Sequence, residues 1–314
     1  MLGMKDLDEE AFDELRRGIR IENSQHPWLN LSNEEIIRLA ELLAIDPDTG
    51  KEGLTLAAIL LFGNNHAITT ALPAYRIDLL CRVNNTELYD DRELLSCNLL
   101  KAYPITMAFI KKHLPEQPYI EGIQRFSLRD TILREVVLNM IIHREYSSAY
   151  PTTFTIYRDT IVTENWIIPY VYGHIDLQTM RPHRKNPKIA KVFSQMGIVE
   201  ELGSGMRKMF KYTPLYANGK EPVIEEQDVY RIEIPYVPTL QSTEGGSGPE
   251  SGPETTQKRI IKLLRDNPNI TSRQIAENLK MARSGISKHL HLLQESGRIK
   301  HVGPNKGGHW EVID

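Results

Sequence analysis

The organisation of this chain is decided by the stretch Thr271-Ser-Arg-Gln-Ile-Ala-Glu-Asn-Leu-Lys-Met-Ala-Arg-Ser-Gly-Ile-Ser-Lys-His-Leu-His-Leu-Leu293. Its apolar side chains recur at helical spacing in two blocks. The members are Ile275, Ala276 and Leu279 in the first block, and Ile286, Leu290 and Leu293 in the second. Thr271 and Ser272 give an N-cap signal before the first block, because a hydroxyl group can accept a bond from a free helix N–H. The stretch therefore predicts two short helices joined by a tight turn.

A β-hairpin is predicted directly after the second helix. Gly297 ends that helix, and the segments Arg298–Val302 and His309–Ile313 flank the glycine-rich Gly303–Gly308. Helix, turn, helix and glycine-rich hairpin in this order resemble a winged helix-turn-helix DNA-binding domain, and the resemblance covers residues 256–314. A domain of this kind places its second helix in the major groove of double-stranded DNA, and its cationic hairpin can lie along the phosphates.

The candidate DNA contacts are polar and cationic residues outside the apolar stripes. They are Arg273, Arg283, Ser284, Ser287, Lys288, His291 and Lys306. Ala282 departs from the family pattern, which usually has a Ser or Thr cap there, and the loss of such a cap costs about 1 kcal/mol. The alternative is a winged helix that serves only protein contacts.

The charge distribution favours DNA binding. Residues 254–314 contain 11 lysines and arginines against 6 acidic residues, a net charge of +5. The whole chain carries −3, so residues 1–253 carry −8. A basic module on an acidic body is typical of a DNA-binding unit attached to a domain that is not itself a nucleic-acid surface.

Length and composition describe an ordinary soluble protein. A chain of 314 residues with 40% hydrophobic and 25% charged residues predicts two or three domains with real cores. Two cysteines, Cys81 and Cys97, do not form a disulfide framework, so both are expected to be reduced. The acidic N-terminus is unlike a signal peptide, and the longest apolar run, Leu54–Phe62, is shorter than the ~20 residues that span a bilayer. We expect a cytoplasmic protein without a membrane partner.

Several elements are predicted before residue 130. They are a helical region over residues 1–50, within it a helix capped by Ser32 and Glu35, a buried helix over Leu54–Gly63, a strand over Tyr75–Val83, and one or two amphipathic helices over Asp90–Leu114.

A strong amphipathic helix is predicted over Arg129–Arg144. Glu135, Asn139 and His143 lie four residues apart, in one row at the edge of its apolar face. A carboxylate and an amide one turn apart could hold a divalent cation and an attacking water beside a phosphate chain. The alternative is that these residues are polar side chains bordering a core.

The next segments predict a hairpin, a glycine turn and a final strand. The hairpin covers Thr152–Tyr157 and Thr160–Thr163, and the strand covers Asp228–Pro235 with alternating apolar residues. Between them, Gly203-Ser-Gly205 opens a cationic helix, and such glycines can present free N–H groups to an anion. A tight loop without a ligand is the commoner meaning of Gly-Ser-Gly.

Four segments together resemble the central region of a bacterial family of transcriptional regulators related to the C-terminus of the RecG helicase. They are Leu54–Gly63, Arg134–Ser147, Asn186–Ala190 and Leu202–Met209. The resemblance covers residues 5–236 and implies a degenerate GHKL-type ATPase-like domain followed by a winged helix. By this comparison Glu135 and Asn139 match the N-box of GHKL proteins, and Gly203–Gly205 is similar to their last glycine box. The family usually has an N-terminal AlbA-type (Schlafen-like) domain. No segment of this sequence corresponds to that domain, so we expect either a natural short form or a truncated form of the family.

Two departures from the family pattern argue against catalysis. The usual Asn-Pro-Gly-Gly-Leu-Pro is replaced by Asn165-Trp-Ile-Ile-Pro169, so bulky side chains stand where glycines would let a backbone approach a nucleotide. The Asp-x-Gly pair of active GHKL enzymes is absent between Arg129 and Met209. The possible nucleotide-binding set implied by the resemblance is Glu135, Asn139, His143, Asn165, Gly203, Ser204 and Gly205. We expect no catalytic residue, no cofactor and no metal, with ATP and Mg²⁺, the latter on Asn139, as the alternative.

The sequence thus predicts an α+β protein with a GHKL ATPase-like α/β sandwich body and a C-terminal winged helix-turn-helix domain. The predicted divisions are an N-terminal helical segment (1–50), the ATPase-like domain (51–238), a flexible linker (239–255) and the winged helix (256–314). The linker is expected because Gly245–Glu254 has no apolar residue to bury. The function expected is a homodimeric transcriptional regulator that binds double-stranded DNA, with a body that dimerises or senses a small-molecule effector. An ATP-binding or ATP-hydrolysing enzyme and a non-catalytic scaffold are the alternatives.

Overall fold

The computed structural model describes residues 2–169, 172–175, 184–199, 204–238, 260–265, 267–279, 283–295, 298–303 and 308–313. The chain divides into two compact units, Met1–Thr239, here called the body, and Leu240–Asp314, here called the C-terminal unit. Each unit has its own cluster of buried apolar side chains. The predicted linker, 239–255, lies outside the described residues.

The body contains eight α-helices within the described residues. They are α1 (Glu9–Glu22), α2 (Asn33–Leu39), α3 (Leu56–Phe62), α4 (Asn65–Ala71), α5 (Leu99–His113), α6 (Leu128–Ile142), α7 (Pro187–Gln195) and α8 (Ser204–Tyr216). Two single 3-10 turns, Met4–Asp6 and Pro27–Asn30, flank α1.

The strands of the body form one large sheet and two hairpins. They are β1 (Leu43–Ile45), β2 (Glu52–Leu54), β3 (Ile77–Arg82), β4 (Asp91–Leu95), β5 (Pro118–Glu121), β6 (Gln124–Ser127), β7 (Thr152–Tyr157), β8 (Thr160–Trp166), β9 (Gly173–His174), β10 (Val223–Glu226) and β11 (Val229–Pro235). The large sheet has seven strands in the order β4-β3-β7-β8-β11-β10-β9, whereas β1 pairs with β2 and β5 pairs with β6. Among the described strands only β3 and β7 run parallel, and a crossover that contains α5 and α6 connects them.

One face of the large sheet is covered by α5, α6 and α8. Strand alternation directs Leu79, Phe154, Ile161 and Ile232 to this inner face, where all four are buried. Helix α6 is buried on most of its circumference, because its wide apolar stripe packs between the sheet and its neighbouring helices. The body is therefore a two-layer sandwich with α6 at its centre.

The capping signals near the N-terminus work as predicted, but the predicted helical region, residues 1–50, is wrong at its end, where Leu43–Ile45 form β1 and pair with β2. Ser32 and Glu35 form a capping box, in which the Ser32 N–H donates to Glu35 Oε2 at 2.8 Å and the Glu35 N–H donates to Ser32 Oγ at 3.3 Å. The run Leu54–Gly63 contains the buried helix α3, which Thr55 caps through a bond from the Ala58 N–H. The predicted strand Tyr75–Val83 contains β3, and the predicted hairpin and final strand correspond to β7, β8 and β11.

The prediction that Asp90–Leu114 is helical throughout is wrong in its first part. Residues Asp91–Leu95 form β4, an edge strand that pairs with β3, and helix α5 begins only at Leu99, after the N-cap Asn98. The side chains of Lys112 and His113, in the last turn of α5, both bond the Asp91 carboxylate. Tertiary pairing with β3 thus overrides the low β-propensity of a charged sequence.

None of the helices in the described part of the chain has the length and apolarity needed to cross a bilayer. Both cysteines are free thiols; burial raises the pKa of Cys81 and that of Cys97.

Candidate functional site

Helix α6 places Glu135 against the start of α8. The Glu135 side chain is buried, and a Cβ on Gly205, in the first turn of α8, would lie 2.0 Å from Glu135 Oε2. A side chain at position 205 would push this carboxylate aside, and the carboxylate is favourable there because a helix N-terminus attracts negative charge. A phosphate group at the start of α8 would therefore meet a carboxylate.

Asn139 and His143 lie one and two turns further along α6. The Asn139 amide Nδ2 donates to the Glu135 carbonyl at 2.8 Å, so its side chain bonds its own helix. His143 is the C-cap of α6, and its ring stacks on the Tyr230 ring with centroids 5.9 Å apart and planes inclined by 21°. Burial raises the pKa of Tyr230, and the nearby Glu226 carboxylate raises it further, so this phenol stays protonated.

Asn165 lies beneath the C-terminal half of α6, at the inner face of β8. It is only 2% exposed, and its Nδ2 donates to the Met140 carbonyl at 2.8 Å. Its Oδ1 is buried and has no hydrogen-bond partner among the described residues. Tyr230 is the residue opposite Asn165 in the β8–β11 register. The structure therefore brings Asn165 and His143 together through Tyr230, whose role the sequence had not revealed beyond its inward position in a strand.

The three bulky residues after Asn165 do not all point the same way. Ile167 is buried in the core of the body, whereas Ile168 is 66% exposed. The Trp166 ring lies on the outer face of the sheet and stacks on Tyr150 at 5.0 Å between centroids. Of the three, only Ile167 occupies interior space. The sequence-based expectation that bulky side chains block the approach of a nucleotide therefore applies inside the body to Ile167 alone.

A buried cation next to this region was also missed in the sequence. The Arg144 guanidinium lies over the rings of Tyr75 and Tyr146, at 5.0 and 5.2 Å from their centroids, and the two rings are neighbours with centroids 6.1 Å apart. Its guanidinium donates to the carbonyls of Arg76 and Tyr150 at 3.0 and 3.3 Å, and burial lowers its pKa. Two aromatic faces and two carbonyls satisfy this cation, so it fixes the chain after α6 to the start of β3.

Most of the described members of the possible nucleotide set therefore border α6. Glu135 and Asn139 are on it, His143 caps it, Asn165 bonds its backbone, and Gly205 packs on it. Ser204 is the first residue of α8, and Gly203 lies outside the described residues. Fitted to MgATP, the arrangement is poor: Glu135 borders the α8 start, and Ile167 fills core space. Within the described residues no group of three or more His, Cys, Asp and Glu side chains could hold a metal ion.

The C-terminal unit contains the predicted helix pair. Residues 260–265 are helical, and two helices follow, α9 (Ser272–Leu279) and α10 (Arg283–Glu295). Thr271 and Gln274 form a capping box, because the Gln274 N–H donates to Thr271 Oγ1 at 3.3 Å and the Thr271 N–H donates to Gln274 Oε1 at 3.0 Å. The residues predicted to form the apolar stripe of α10 are buried: Ile286, Leu290 and Leu293.

Strands β12 (Ile299–Val302) and β13 (His309–Val312) form the predicted antiparallel wing. The wing is fixed to the helices by backbone bonds, since the Trp310 N–H donates to the Pro268 carbonyl at 2.8 Å and the Arg298 N–H donates to the Leu293 carbonyl at 3.0 Å. Its tip, with Lys306, lies outside the described residues, as do Ala282 and Gly297.

The candidate DNA contacts occupy the predicted elements where they are described. Ser287 and His291 are exposed on α10, and Arg273 is exposed on α9. Arg283, Ser284 and Lys288 belong to α10 by their backbone, but their side chains lie outside the described residues. Helical spacing puts positions 284, 287, 288 and 291 on the face opposite the buried stripe.

Comparison with known families gives three partial matches. Residues 254–300 match the family "Winged helix-turn-helix DNA-binding", and residues 154–232 match "Putative ATP-dependent DNA helicase recG C-terminal". Residues 1–78 match a "Domain of unknown function (DUF8451)". The chain therefore has a winged helix-turn-helix domain of a DNA-binding class and a RecG C-terminal-like, ATPase-like domain. Together with the seven-stranded mixed sheet, this confirms the predicted fold class.

No curated protein matches the chain. Among solved structures, the crystal structure of the DIP2311 protein from Corynebacterium diphtheriae is similar, with a TM-score of 0.58 and 17% sequence identity. The match covers 100% of this chain and 63% of that chain, so this chain spans less than two thirds of the length of DIP2311. At this identity the likeness concerns the fold alone.

Proposed function

We propose that this chain is a cytoplasmic, DNA-binding transcriptional regulator of bacterial type. The observation that carries the proposal is the helix pair of the C-terminal unit, in which α10 has a buried stripe and an opposite face with exposed Ser287 and His291. The net charge of +5 over residues 254–314 supports phosphate neutralisation by this unit. Arg283, Lys288 and Lys306 would supply cationic contacts, and Arg273 would assist from α9.

Fluorescence anisotropy of a labelled duplex, titrated with the full chain, tests this proposal. We expect binding that weakens steeply with salt and that Arg283→Ala and Lys288→Ala both reduce. Arg20→Ala is the matched control, because it removes the same charge from an exposed position of α1 in the body. Equal affinity of all four proteins would contradict the proposal and favour a winged helix that contacts only proteins.

In the same proposal the body is a homodimerisation or effector-sensing domain without ATPase activity. The contact between Glu135 and Gly205 supports this, since the body's own carboxylate lies where an anion would approach α8. The buried Ile167 supports it as well. A small-molecule effector that binds one arrangement of the dimer more tightly than another would shift the equilibrium between these arrangements.

A nucleotide-binding body is the second candidate. It is favoured by the grouping of Glu135, Asn139 and Asn165 along α6, and by the buried Asn165 Oδ1. Calorimetric titration of the full chain with ATP, with and without Mg²⁺, separates the two candidates. We expect a dissociation constant no tighter than roughly millimolar, about −4 kcal/mol. A micromolar constant that is lost in Asn139→Ala would establish the second candidate instead.

A further inference from the structure

The outer face of the large sheet is the side opposite α5, α6 and α8. On this face the strands present every second residue, and most of these side chains are half-exposed. The polar residues of this face form ion pairs within strands and between neighbouring strands. Arg231 donates to Glu164 at 2.5 Å and to Glu233 at 2.7 Å, and Arg76 donates to Asp78 at 2.6 and 2.9 Å.

An apolar patch lies at one end of this face. Trp166 and Val229 are direct neighbours in the β8–β11 register, and Tyr150 stacks on the Trp166 ring. The Ile167 N–H donates to the Asp228 carbonyl at 3.1 Å, which continues the pairing one residue beyond β8. Ile168 comes next in the chain, directly after the last paired residue. Tyr150 is 63% exposed and Ile168 is 66% exposed, so large apolar surfaces of this patch face solvent.

The charges beside the patch indicate what kind of partner fits it. Among the described residues on or next to the strands, arginines and carboxylates occur in equal numbers on the outer face. They are Arg76, Arg82, Arg92 and Arg231, against Asp78, Glu164, Glu225 and Glu233. A face with both signs interleaved has no preference for a nucleic acid or an anionic membrane, which need a single sign. When a two-fold axis relates two copies of this face, the arginines of one copy can lie opposite the carboxylates of the other.

We propose that the outer face of the large sheet is the homodimer interface of this protein, with a second copy of the chain as its occupant. Tyr150, Trp166 and Ile168 form the apolar anchor, because buried aromatic residues contribute most to interfaces. The Arg231–Glu164 row lies beside this anchor and sets the register of the two copies. The inference rests on the proposed function, in which a dimer presents two winged helices to paired DNA half-sites.

The β5–β6 hairpin offers a matched control for this assignment. Ile123 at its tip is fully exposed, at 102% of the reference area. The hairpin is held on α8 by Glu121, which accepts bonds from Lys211 at 2.6 Å and from Tyr212 at 2.7 Å. The substitution Ile123→Glu therefore replaces an exposed apolar side chain by a charged one and leaves the outer face of the large sheet unaltered.

Light scattering after gel filtration, and sedimentation equilibrium, measure the dimer dissociation constant of the full chain. Wild type and Ile123→Glu are expected to be dimers at micromolar concentration. Tyr150→Glu and Ile168→Glu are expected to raise the dissociation constant roughly tenfold or more. Circular dichroism and thermal melting verify that each variant is folded. If Tyr150→Glu or Ile168→Glu does not fold, the milder Tyr150→Ser is measured in its place. A monomeric wild type, or a dimer that Ile123→Glu disrupts and the patch variants do not, would overturn the assignment.

A second arm separates the interface from the proposed function. Anisotropy titrations with one or two inverted copies of a DNA sequence selected by the wild-type chain measure half-site and paired-site affinity. Folded Tyr150→Glu is expected to keep half-site affinity and to lose the gain from pairing. A dimeric wild-type chain from which no bound DNA sequence can be selected would reject the proposed function and leave the interface in place, whereas an undiminished gain from pairing in Tyr150→Glu would reject the interface.

Discussion

Helices α6 and α10 have similar sequence patterns and opposite surroundings. Each has an apolar stripe with a row of polar residues beside it, Glu135 and Asn139 in one case and Ser287 and His291 in the other. Among the described side chains of α10, the stripe is buried, whereas Ser287 and His291 are exposed. In α6 even Glu135 is buried, because α8 packs against the polar row. A polar row is thus a contact surface only if no second layer covers it.

The largest effect is expected from a cavity in α6. Leu133→Ala should reduce the free energy of unfolding of the body by about 2–5 kcal/mol, because Leu133 is completely buried among well-packed neighbours. Calorimetric melting of the full chain measures this loss. Leu88→Ala, at a 65% exposed position, is the control and should change little. Equal losses in both variants would mean that α6 is not at the centre of the body.

The exposed face of α10 should respond in DNA affinity and not in stability. Removing one cation that neutralises a phosphate should reduce the slope of log affinity against log salt by about 0.9. We expect Lys288→Ala to show this change with an unaltered melting temperature, and Arg283→Ala to alter sequence preference as well. Titrations at several salt concentrations measure the slope. An unchanged slope together with a lower melting temperature would place Lys288 in the fold and not at the DNA.

Asn139 distinguishes a structural polar row from a ligand site. Asn139→Ala removes the 2.8 Å bond to the Glu135 carbonyl and should cost about 1 kcal/mol of body stability. If the proposed function is right, Asn139→Ala should leave the weak affinity of the body for ATP unchanged. Melting and calorimetric titration of the same variant test both halves of this expectation. A large change in nucleotide affinity without a change in stability would show that Asn139 faces a ligand.

The smallest effect concerns acid pH. Lys112 and His113 lower the pKa of Asp91 from 3.8 to about 2, so the folded body favours the ionised form. The resulting stabilisation is present above pH 3.8 and is lost as the pH falls toward 2. Because Asp91 is one-third exposed, we expect less than about 1 kcal/mol. Unfolding of wild type and Asp91→Asn at pH 6 and pH 2.5 should show a difference at the higher pH that shrinks at the lower one. A constant difference would assign the effect to packing.

Local elements were largely predictable because their signals are short-range. Periodicity alone predicted α6, α10 and β11, and the Ser32 capping box marked the start of α2. The β5–β6 hairpin and β10 were not predicted. These strands are short and carry polar residues on both faces of the strand, so their sequences show neither the helical period nor the alternation of a strand.

The possible nucleotide set was only half predictable. Spacing put Glu135, Asn139 and His143 in one row, which the helix α6 reproduces. The approach of Gly205 to Glu135 joins residues 70 positions apart and depends on how α8 packs on α6. The His143–Tyr230 stack likewise depends on the position of β11 in the sheet. Both are long-range contacts, which leave no periodic trace in a sequence.

The sequence by itself determined most of the helices, the main strands, the basic C-terminal unit and the acidic body, because propensity, period and charge are properties of neighbouring residues. Tertiary structure alone decided that β4 is a strand, that Glu135 is buried against Gly205, and that Trp166 faces outward while Ile167 faces inward. The physical reason is that burial is set by what packs on a residue. A strand places successive side chains on opposite faces of a sheet, and only the layer that covers one face determines which of them become core and which remain available to a partner.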